Sequence, residues 1–227
     1  MSRLSALSNL LHKVRLDKKP VHFEMASFVE ESLLADVVKY ILPHSDSLGM
    51  NEQELPNLIS YLKHGEVTMV SEAYPRTAHV LDLMRQLYTE VTTKLKSGEL
   101  TRPASRIHVH TLAFQAIMTR TASPWKNTME SAAHASLTAN RHICGKTRID
   151  IATSKMLMDE SFSTTTDSSQ ADRIHFSSEK PVSCWNEEIA GDDVFVCVAP
   201  NLVCTKVFQT AGGGDNISGA GLRYQVL

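Results

Sequence analysis

The order of strand-like and helix-like segments is the feature that most constrains how this chain of 227 residues can fold. Short runs rich in β-branched and apolar residues alternate along the chain with segments that have helical apolar spacing and helix-end signals, and no segment is duplicated. Such an order predicts an α/β fold with a mostly parallel sheet, in which ligands bind where strands end and helices begin. The expected helices are 4–16, 27–41, 51–63, 75–97, 123–140 and a short one from Asp215, and the expected strands are 20–27, 106–114, 147–153 and two runs within 194–208.

Local signals mark several of the boundaries. Ser27 and Glu30 form the S-x-x-E pattern of a capping box, and Ser123 followed by Pro124 has the order of an N-cap and a first-turn proline. The segment 161–170 reads SFSTTTDSSQ and is polar and of low complexity. It therefore predicts a mobile loop.

The overall charge excludes some partners. The chain has 23 basic and 25 acidic residues and a net charge of -2, which argues against nucleic acid or an acidic membrane as the main partner. No apolar run approaches the ~18 residues that a membrane-spanning helix needs. We therefore expect no insertion into a membrane.

Two further features leave alternatives open. The four cysteines contain no C-x-x-C pair, so a zinc ribbon is not expected, and they form either one or two disulfides or buried thiols. The basic, amphipathic segment 1–20 fits either a surface helix or, less well, a mitochondrial transit peptide.

The segment TAGGGDNISGAGL, residues 210–222, contains a candidate phosphate-binding loop. Glycines let backbone N–H groups turn toward a ligand, and a helix that starts at Asp215 would add its positive end, so Gly212, Gly213 and Gly214 predict an anion site. An aspartate at that place suits a general base that takes a proton from an attacking hydroxyl. The alternative is that Asp215 only caps the helix after a flexible turn.

Two acidic motifs could organise a metal ion. His22 and Glu24 point to the same side of a strand, and a carboxylate there could hold Mg²⁺ directly or through water. Asn51 and Glu54 are one helical turn apart and form a second oxygen-rich pair. The alternatives are a surface pair on an edge strand for the first motif and a capping box for the second.

His108 and His110 lie two apart in an expected strand and therefore share a face. A zinc site would need at least one more ligand at a defined spacing, and the sequence offers none. We therefore expect these histidines to lie in the core or to line a pocket.

Together these motifs resemble those of a known family. HFE (22–24), NEQE (51–54) and GGGD (212–215) occur in the order of the HxE, NxxE and GxGD motifs of the ADP-dependent sugar kinases. The flanking stretches PVHFEMAS, SLGMNEQEL and RIHVHTL look like those of the eukaryotic ADP-dependent glucokinases. The resemblance extends from the first helix to the end of the chain.

The resemblance implies a ribokinase-like α/β/α sandwich that carries a smaller lid. Residues 1–227 would be the C-terminal part of one such kinase domain, without the lid and the early strands. It further implies transfer of the β-phosphate of ADP to the 6-hydroxyl of glucose with Mg²⁺, as in glycolysis. The full-length protein would be a monomer whose partners are ADP and glucose.

The resemblance also implies roles for individual residues. Asp215 would be the catalytic base, and the amides of Gly212–Gly214 would form an anion hole for the transferring phosphoryl group. Glu24 and Glu54, together with Asp215, would organise Mg²⁺ and its waters. Val203 would belong to the nucleotide-binding segment.

The segment before the glycine loop departs from the family pattern. Thr205, Lys206 and Val207 stand where the family usually has a proline, and Ala211 replaces a common valine. The placement of adenine is therefore open. The resemblance also aligns Cys144 and Cys204 with cysteines of the animal enzymes, where they would form either a disulfide or two thiols.

Alternatives remain open for the cellular compartment and for the function. The chain itself leaves the compartment unknown, and the resemblance implies the endoplasmic reticulum or the secretory pathway, reached through a signal that would lie upstream of this chain. An incomplete kinase could instead be an inert nucleotide-binding or interaction protein. A third possibility is an ATP-dependent kinase, because only the flanking sequences indicate ADP.

Overall fold

The computed structural model describes residues 3–28, 30–68, 72–98, 104–177 and 179–225. The helices are α1 (Arg3–Leu16), α2 (Glu31–Tyr40), α3 (Glu54–His64), α4 (Thr77–Lys96), α5 (Thr128–Cys144) and α6 (Gly213–Gln225). The strands are β1 (His22–Glu24), β2 (Ser47–Asn51), β3 (Arg106–His110), β4 (Phe114–Arg120), β5 (Ser154–Met156), β6 (Ser161–Ser163), β7 (Arg173–His175), β8 (Ser183–Ile189), β9 (Asp192–Pro200) and β10 (Leu202–Cys204).

A six-stranded sheet with the order β1-β2-β3-β4-β9-β8 forms the centre of the fold. β1, β2 and β3 run parallel, whereas β4, β9 and β8 are added in antiparallel pairs. Two small antiparallel ribbons, β5 with β10 and β6 with β7, lie outside this sheet. The α/β class is confirmed; the expected parallel pairing holds for the β1–β3 half, and the sheet as a whole is mixed.

Helices cover both faces of the sheet. Because successive strand residues face opposite sides, Ala116 and Met118 join the core beneath α3 and α4, while Ile117 packs with Ala132 of α5. In this core beneath α3 and α4, the residues along the inner faces of the two helices are almost entirely buried. The second face, covered by α5 and α6, carries the polar residues described below.

Two expected helix starts are wrong. The residues Ser27 and Glu30 do not form a capping box: α2 starts at Glu31, Glu30 makes no side-chain cap, and Ser27 Oγ donates to Glu54 Oε1 at 3.3 Å. Residue 29, within the expected helix, lies outside the described residues. α5 starts at Thr128 rather than at Ser123, because Ser123 Oγ closes a turn on the Arg120 carbonyl.

The expected strand 106–114 is in fact the hairpin of β3 and β4. The Thr111 hydroxyl accepts hydrogen bonds from the amides of Ala113 and Phe114, which reverses the chain. Residues 147–153 do not form a strand, since β5 begins only at Ser154 after a short 3-10 helix. These turns depend on side-chain-to-backbone hydrogen bonds that hydrophobic spacing does not reveal.

The segment 161–170, expected to be a mobile loop, contains β6 in its first three residues. Further along, the Thr166 amide and hydroxyl both donate to Asp82 Oδ2 of α4, at 2.8 and 2.6 Å. The mobility of this segment stays a prediction.

The cysteines are paired. Cys144 at the end of α5 bonds to Cys204 at the end of β10, and Cys184 bonds to Cys197 across the β8–β9 pair. Of the alternatives that the sequence left open, the structure therefore has two disulfides and no free cysteine among the described residues. The Cys144–Cys204 disulfide joins cysteines that are 60 residues apart along the chain and connects β10, the strand before the glycine loop, to α5.

Across the described part of the chain, no helix combines the length and the apolar character that crossing a membrane requires.

Candidate active site

The three parallel strands present polar residues to α6. On the face opposite the α3–α4 core, β1 contributes His22 and Glu24, β2 contributes Ser47 and Gly49, and β3 contributes alternate residues. The β3 residues on this face are Arg106, His108 and His110. The predicted shared faces of His22 with Glu24 and of His108 with His110 are confirmed.

Glu24 lies at the centre of this polar face. Its Oε1 lies 2.6 Å from His110 Nε2, and its Oε2 lies 3.4 Å from His22 Nε2. Burial alone would raise the pKa of Glu24, but the hydrogen bonds from His110 and His22 outweigh burial and lower the pKa to about 2. Glu24 is therefore a carboxylate at every physiological pH.

We expect the contribution of Glu24 to stability to disappear in acid. The folded pKa of about 2 is below the ordinary value of 4.5, so the stabilisation is complete above pH 4.5 and is lost as the pH falls toward 2. Such a shift corresponds to at most about 3 kcal/mol. Urea unfolding of the wild type and of Glu24→Gln in the presence of EDTA should show a free-energy gap that shrinks between pH 5 and pH 2.5.

The matched control for that experiment is Glu31→Gln, at an exposed position in the first turn of α2. A gap between wild type and Glu24→Gln that stays constant down to pH 2.5 would contradict the ion-paired arrangement of Glu24.

The two other histidine environments differ. Burial lowers the pKa of His22, whose Nδ1 lies 2.9 Å from Ser47 Oγ. His108 is completely buried, burial holds its pKa well below the ordinary value, and its Nε2 bonds to Gln115 Oε1. His108 is thus a neutral core residue, as one alternative of the sequence prediction expects, whereas a pocket-lining position of His110 stays a prediction.

Two glycines allow the backbone to approach Glu24 closely. A Cβ on Gly214, in the first turn of α6, would lie 3.1 Å from Glu24 Oε1 and 3.3 Å from a ring carbon of His110. A Cβ on Gly49 of β2 would lie 1.9 Å from Glu24 Oε2. The N-terminal turn of α6 therefore sits directly against the Glu24–His110 pair.

The glycine loop leads into α6 as the sequence predicts. Gly212 has a left-handed φ of +70°, and the helix then begins at Gly213. The first-turn amides of a helix have no intrahelical acceptor, so this end favours anions. Asp215 occupies the first turn with an exposed side chain, one residue beyond the contact of Gly214 with Glu24.

Glu54 forms the capping box that the sequence offered as the alternative to a metal pair. Asn51 Oδ1 accepts from the amides of Gln53 and Glu54, and Glu54 Oε2 accepts from the Asn51 amide at 2.9 Å. Burial raises the pKa of Glu54, partly offset by that hydrogen bond from the Asn51 amide. A role of Glu54 in organising Mg²⁺ stays a prediction.

The described residues contain no cluster of three or more His, Cys, Asp and Glu side chains that could hold a metal ion. Glu24, Glu54 and Asp215 are thus not gathered into one ligand set. Mg²⁺, however, keeps several waters and takes only one or two carboxylates together with substrate phosphates. The ionised Glu24 fits such a role, since its buried Oε2 is approached by His22 only at 3.4 Å, a longer distance than the 2.6 Å between Oε1 and His110.

Val203 lies apart from the polar face. It pairs with Lys155 in the β5–β10 ribbon, next to the Cys144–Cys204 disulfide. The following segment is tied to the end of α5, because the Phe208 amide donates to the Ile143 carbonyl at 2.8 Å. This anchored segment connects the ribbon to the glycine loop, and contact of Val203 with a nucleotide stays a prediction.

A cavity of about 840 Å³ opens beside the α4 layer. Its lining includes Glu52 and Thr111, which directly follow β2 and β3, together with residues of the β6–β7 ribbon and the start of α4. None of the predicted site residues lines it. Its volume therefore does not identify the catalytic centre, although it borders the same ends of the parallel strands.

Sequence reasoning missed three contributors to the polar face: Ser47, Gly49 and Arg106. β2 was not predicted, so the first two had no assigned position. For Arg106, alternation with His108 and His110 along RIHVH was the available signal.

Comparison with known proteins assigns the chain to a class of enzymes. Residues 1–224 match the conserved region of ADP-specific phosphofructokinases and glucokinases. The chain therefore belongs to the ADP-specific phosphofructokinase/glucokinase family, a family of ADP-dependent sugar kinases.

Among curated relatives, it is 30% identical over 215 residues to a probable ADP-dependent glucokinase of Caenorhabditis elegans, with 91% of this chain and 41% of the relative covered. It is also 30% identical over 208 residues to the ADP-dependent glucokinase of Bos taurus, with 90% of this chain and 40% of the relative covered. The chain thus spans about two fifths of the length of these relatives.

Solved structures share the fold at lower identity. The last common ancestor of ADP-dependent phosphofructokinases from Methanosarcinales superposes with a TM-score of 0.59 at 18% identity, covering 96% of this chain and 45% of that one. An ADP-dependent kinase in complex with fructose-6-phosphate and ADPβS gives a TM-score of 0.57 at 17% identity, covering 96% and 47%.

Proposed function

We propose that this chain supplies the phosphoryl-transfer centre of an ADP-dependent glucokinase, which moves the β-phosphate of ADP to the 6-hydroxyl of glucose. The observation that carries the proposal is the contact between the first turn of α6, which contains Asp215, and the Glu24–His110 pair. An anion-binding helix end, a candidate base and a fixed carboxylate thereby meet at one edge of the sheet.

Each part has a task in phosphoryl transfer, a reaction that depends on positioning and charge stabilisation. The amides around Gly212–Gly214 receive the oxygens of the transferring phosphoryl group, for which the Gly213 amide must leave the Thr210 carbonyl that it bonds at 3.0 Å. Asp215 accepts the proton of the attacking sugar hydroxyl, whose oxygen bonds to the β-phosphorus of ADP while the bond from that phosphorus to the bridging oxygen breaks and AMP leaves. The exposure of Asp215 matches this role, because the acceptor sugar must reach it.

Mg²⁺ bound to the nucleotide would neutralise phosphate charge. Glu24 is the described residue best suited to orient the ion or its waters, since the pKa of about 2 keeps it ionised. Glu54 would help to orient the ion or its waters only if its carboxylate can do so while it accepts the hydrogen bond from the Asn51 amide.

Glucose is favoured as the acceptor because the curated relatives at 30% identity are glucokinases. The phosphofructokinases resemble the chain at 18% identity or less and support the fold alone. Two disulfides favour an oxidising compartment, in agreement with the secretory location that the family resemblance implies.

A second candidate function is nucleotide binding without catalysis. It is favoured by the position of the cavity of about 840 Å³, whose lining includes none of the predicted site residues.

A matrix of assays separates these functions. The 227-residue chain, and in parallel the longest open reading frame that contains it, is given ADP or ATP with glucose or fructose 6-phosphate, and sugar phosphate is quantified. Formation of glucose 6-phosphate with ADP alone is the expected result. Product with ATP alone, or with fructose 6-phosphate alone, would contradict the proposed specificity. ADP binding in calorimetry without product from either protein would favour the non-catalytic function.

A further inference from the structure

A buried arginine lies beneath the candidate site; it forms no close ion pair with a described residue, although the negative charge of Glu24 favours its charged form. Arg106 is completely inaccessible to solvent, and burial lowers its pKa to about 9, so it remains charged at neutral pH. Its guanidinium donates to two neutral acceptors: Nε to Gln225 Oε1 at 2.5 Å and Nη1 to Ser47 Oγ at 3.0 Å. Burying a charge is costly, which makes this placement informative.

The first of these bonds fixes the C-terminal end of α6. Gln225 Oε1 also lies 3.1 Å from Ser131 Oγ of α5, and Ser131 Oγ lies 2.8 Å from the Gly221 carbonyl. A Cβ on Gly221 would come within 3.2 Å of Arg106 Nη2, so the helix rests directly on the guanidinium. α6 is thus held at one end by Arg106 and at the other by the approach of Gly214 to Glu24.

The second bond leads to Glu24 itself. Because Arg106 Nη1 can only donate, the Ser47 hydroxyl accepts from it, and the hydrogen of that hydroxyl is then available to His22 Nδ1, 2.9 Å away. A neutral His22 then carries its hydrogen on Nε2, which faces Glu24 Oε2 at 3.4 Å. One arginine is therefore connected to both groups that form the proposed site.

We propose that Arg106 is a positioning residue for phosphoryl transfer: it anchors α6 through Gln225 and orients His22 through Ser47, and so fixes Asp215 relative to Glu24. This inference rests on the proposed function for its chemistry but not for its geometry. Arg106 is completely buried, so its role is to hold other residues rather than to contact a substrate. Its fork-shaped guanidinium is required, since a lysine keeps the charge but cannot serve both acceptors in the same geometry.

Amide hydrogen exchange tests the geometry without any activity. Arg106→Lys is compared with Arg85→Lys as the matched control. Arg85 also loses a guanidinium in this change, but that guanidinium donates to Glu187 and Asp82 on the α4 side of the sheet. We expect Arg106→Lys to speed exchange selectively in α6 and Arg85→Lys to leave α6 unchanged. Equal acceleration of α4 and α6 by Arg106→Lys, or no change in α6, would overturn the proposal.

Kinetics test the consequence in whichever form of the protein shows kinase activity. A misplacement of about 1 Å costs about 100-fold in rate, so we expect Arg106→Lys to lower kcat by that order with little change in the KM for ADP. Gln225→Glu, which keeps an acceptor for Arg106, should lose far less activity than Gln225→Leu. An unchanged kcat in Arg106→Lys would overturn the proposal. If the wild type shows no kinase activity, the proposed function fails, and the exchange experiment alone decides the role of Arg106.

Discussion

Replacing Asp215 with asparagine should lower kcat for sugar phosphorylation by roughly 10²–10⁴-fold, the usual contribution of a general base. The amide has nearly the shape of the carboxylate but cannot take a proton from the sugar hydroxyl. ADP should still bind, because the phosphate contacts come from backbone amides of the loop and of the first turn of α6. The measurement is steady-state kinetics together with calorimetric titration of ADP.

The fold should tolerate this substitution. The Asp215 side chain is exposed and makes no hydrogen bond or ion pair to any other described residue. Loss of a negative charge near a helix N-terminus costs about 0.3–1 kcal/mol, too little to unfold a domain. Asp36→Asn, which removes the same charge from an exposed position of α2, is the control and should retain full activity. Normal turnover by Asp215→Asn would remove Asp215 from the role of base.

Features encoded locally were predicted well from the sequence. The alternation His22-Phe23-Glu24 predicted a shared face, and the glycine run before Asp215 predicted the start of α6 to within two residues. Both depend only on strand pleating or on backbone freedom. The N-x-x-E pattern is also local. It predicted either a metal-binding pair or a capping box, and the capping box is observed.

Features set by distant partners were not predicted. Ser27 looked like a helix cap, but a carboxylate 27 residues away takes its hydroxyl. The link between Arg106 and Gln225 joins residues 119 apart and depends on the pairing of β3 and the packing of α6. Sequence patterns give the face of a residue but not its partner across the fold, so the positioning of Glu24 emerged only from the structure.

The register between β1 and β2 makes Gly49 the second position with a large expected effect. Gly49 pairs with Glu24 across the two strands, and a Cβ would lie 1.9 Å from Glu24 Oε2 and 2.7 Å from Ser218 Oγ. Glu24 cannot yield easily, because His110 holds its other oxygen at 2.6 Å. β2 cannot yield either, because it pairs with β1 on one side and β3 on the other.

Gly49→Ala should therefore destabilise the fold by about 1–3 kcal/mol, as overpacking in a core does. For a chain of this size, each kcal/mol lowers Tm by roughly 2–4 °C, which thermal unfolding followed by circular dichroism resolves. The control is Gly219→Ala on the exposed side of α6, where a Cβ would meet no atom within 4 Å. There the helix propensity of alanine should raise stability by up to about 1 kcal/mol.

The cause of the Gly49 effect can be isolated in a double-mutant cycle. If the clash is with the Glu24 carboxylate, Gly49→Ala should cost much less stability in a Glu24→Ala background than in the wild type, because the oxygen that the new methyl group meets is gone. Contacting residues show coupling energies of about 0.5–3 kcal/mol in such cycles. An equal cost in both backgrounds would assign the clash to Ser218 Oγ, the other atom that the new methyl group meets, and would contradict the placement of the Glu24 carboxylate over Gly49.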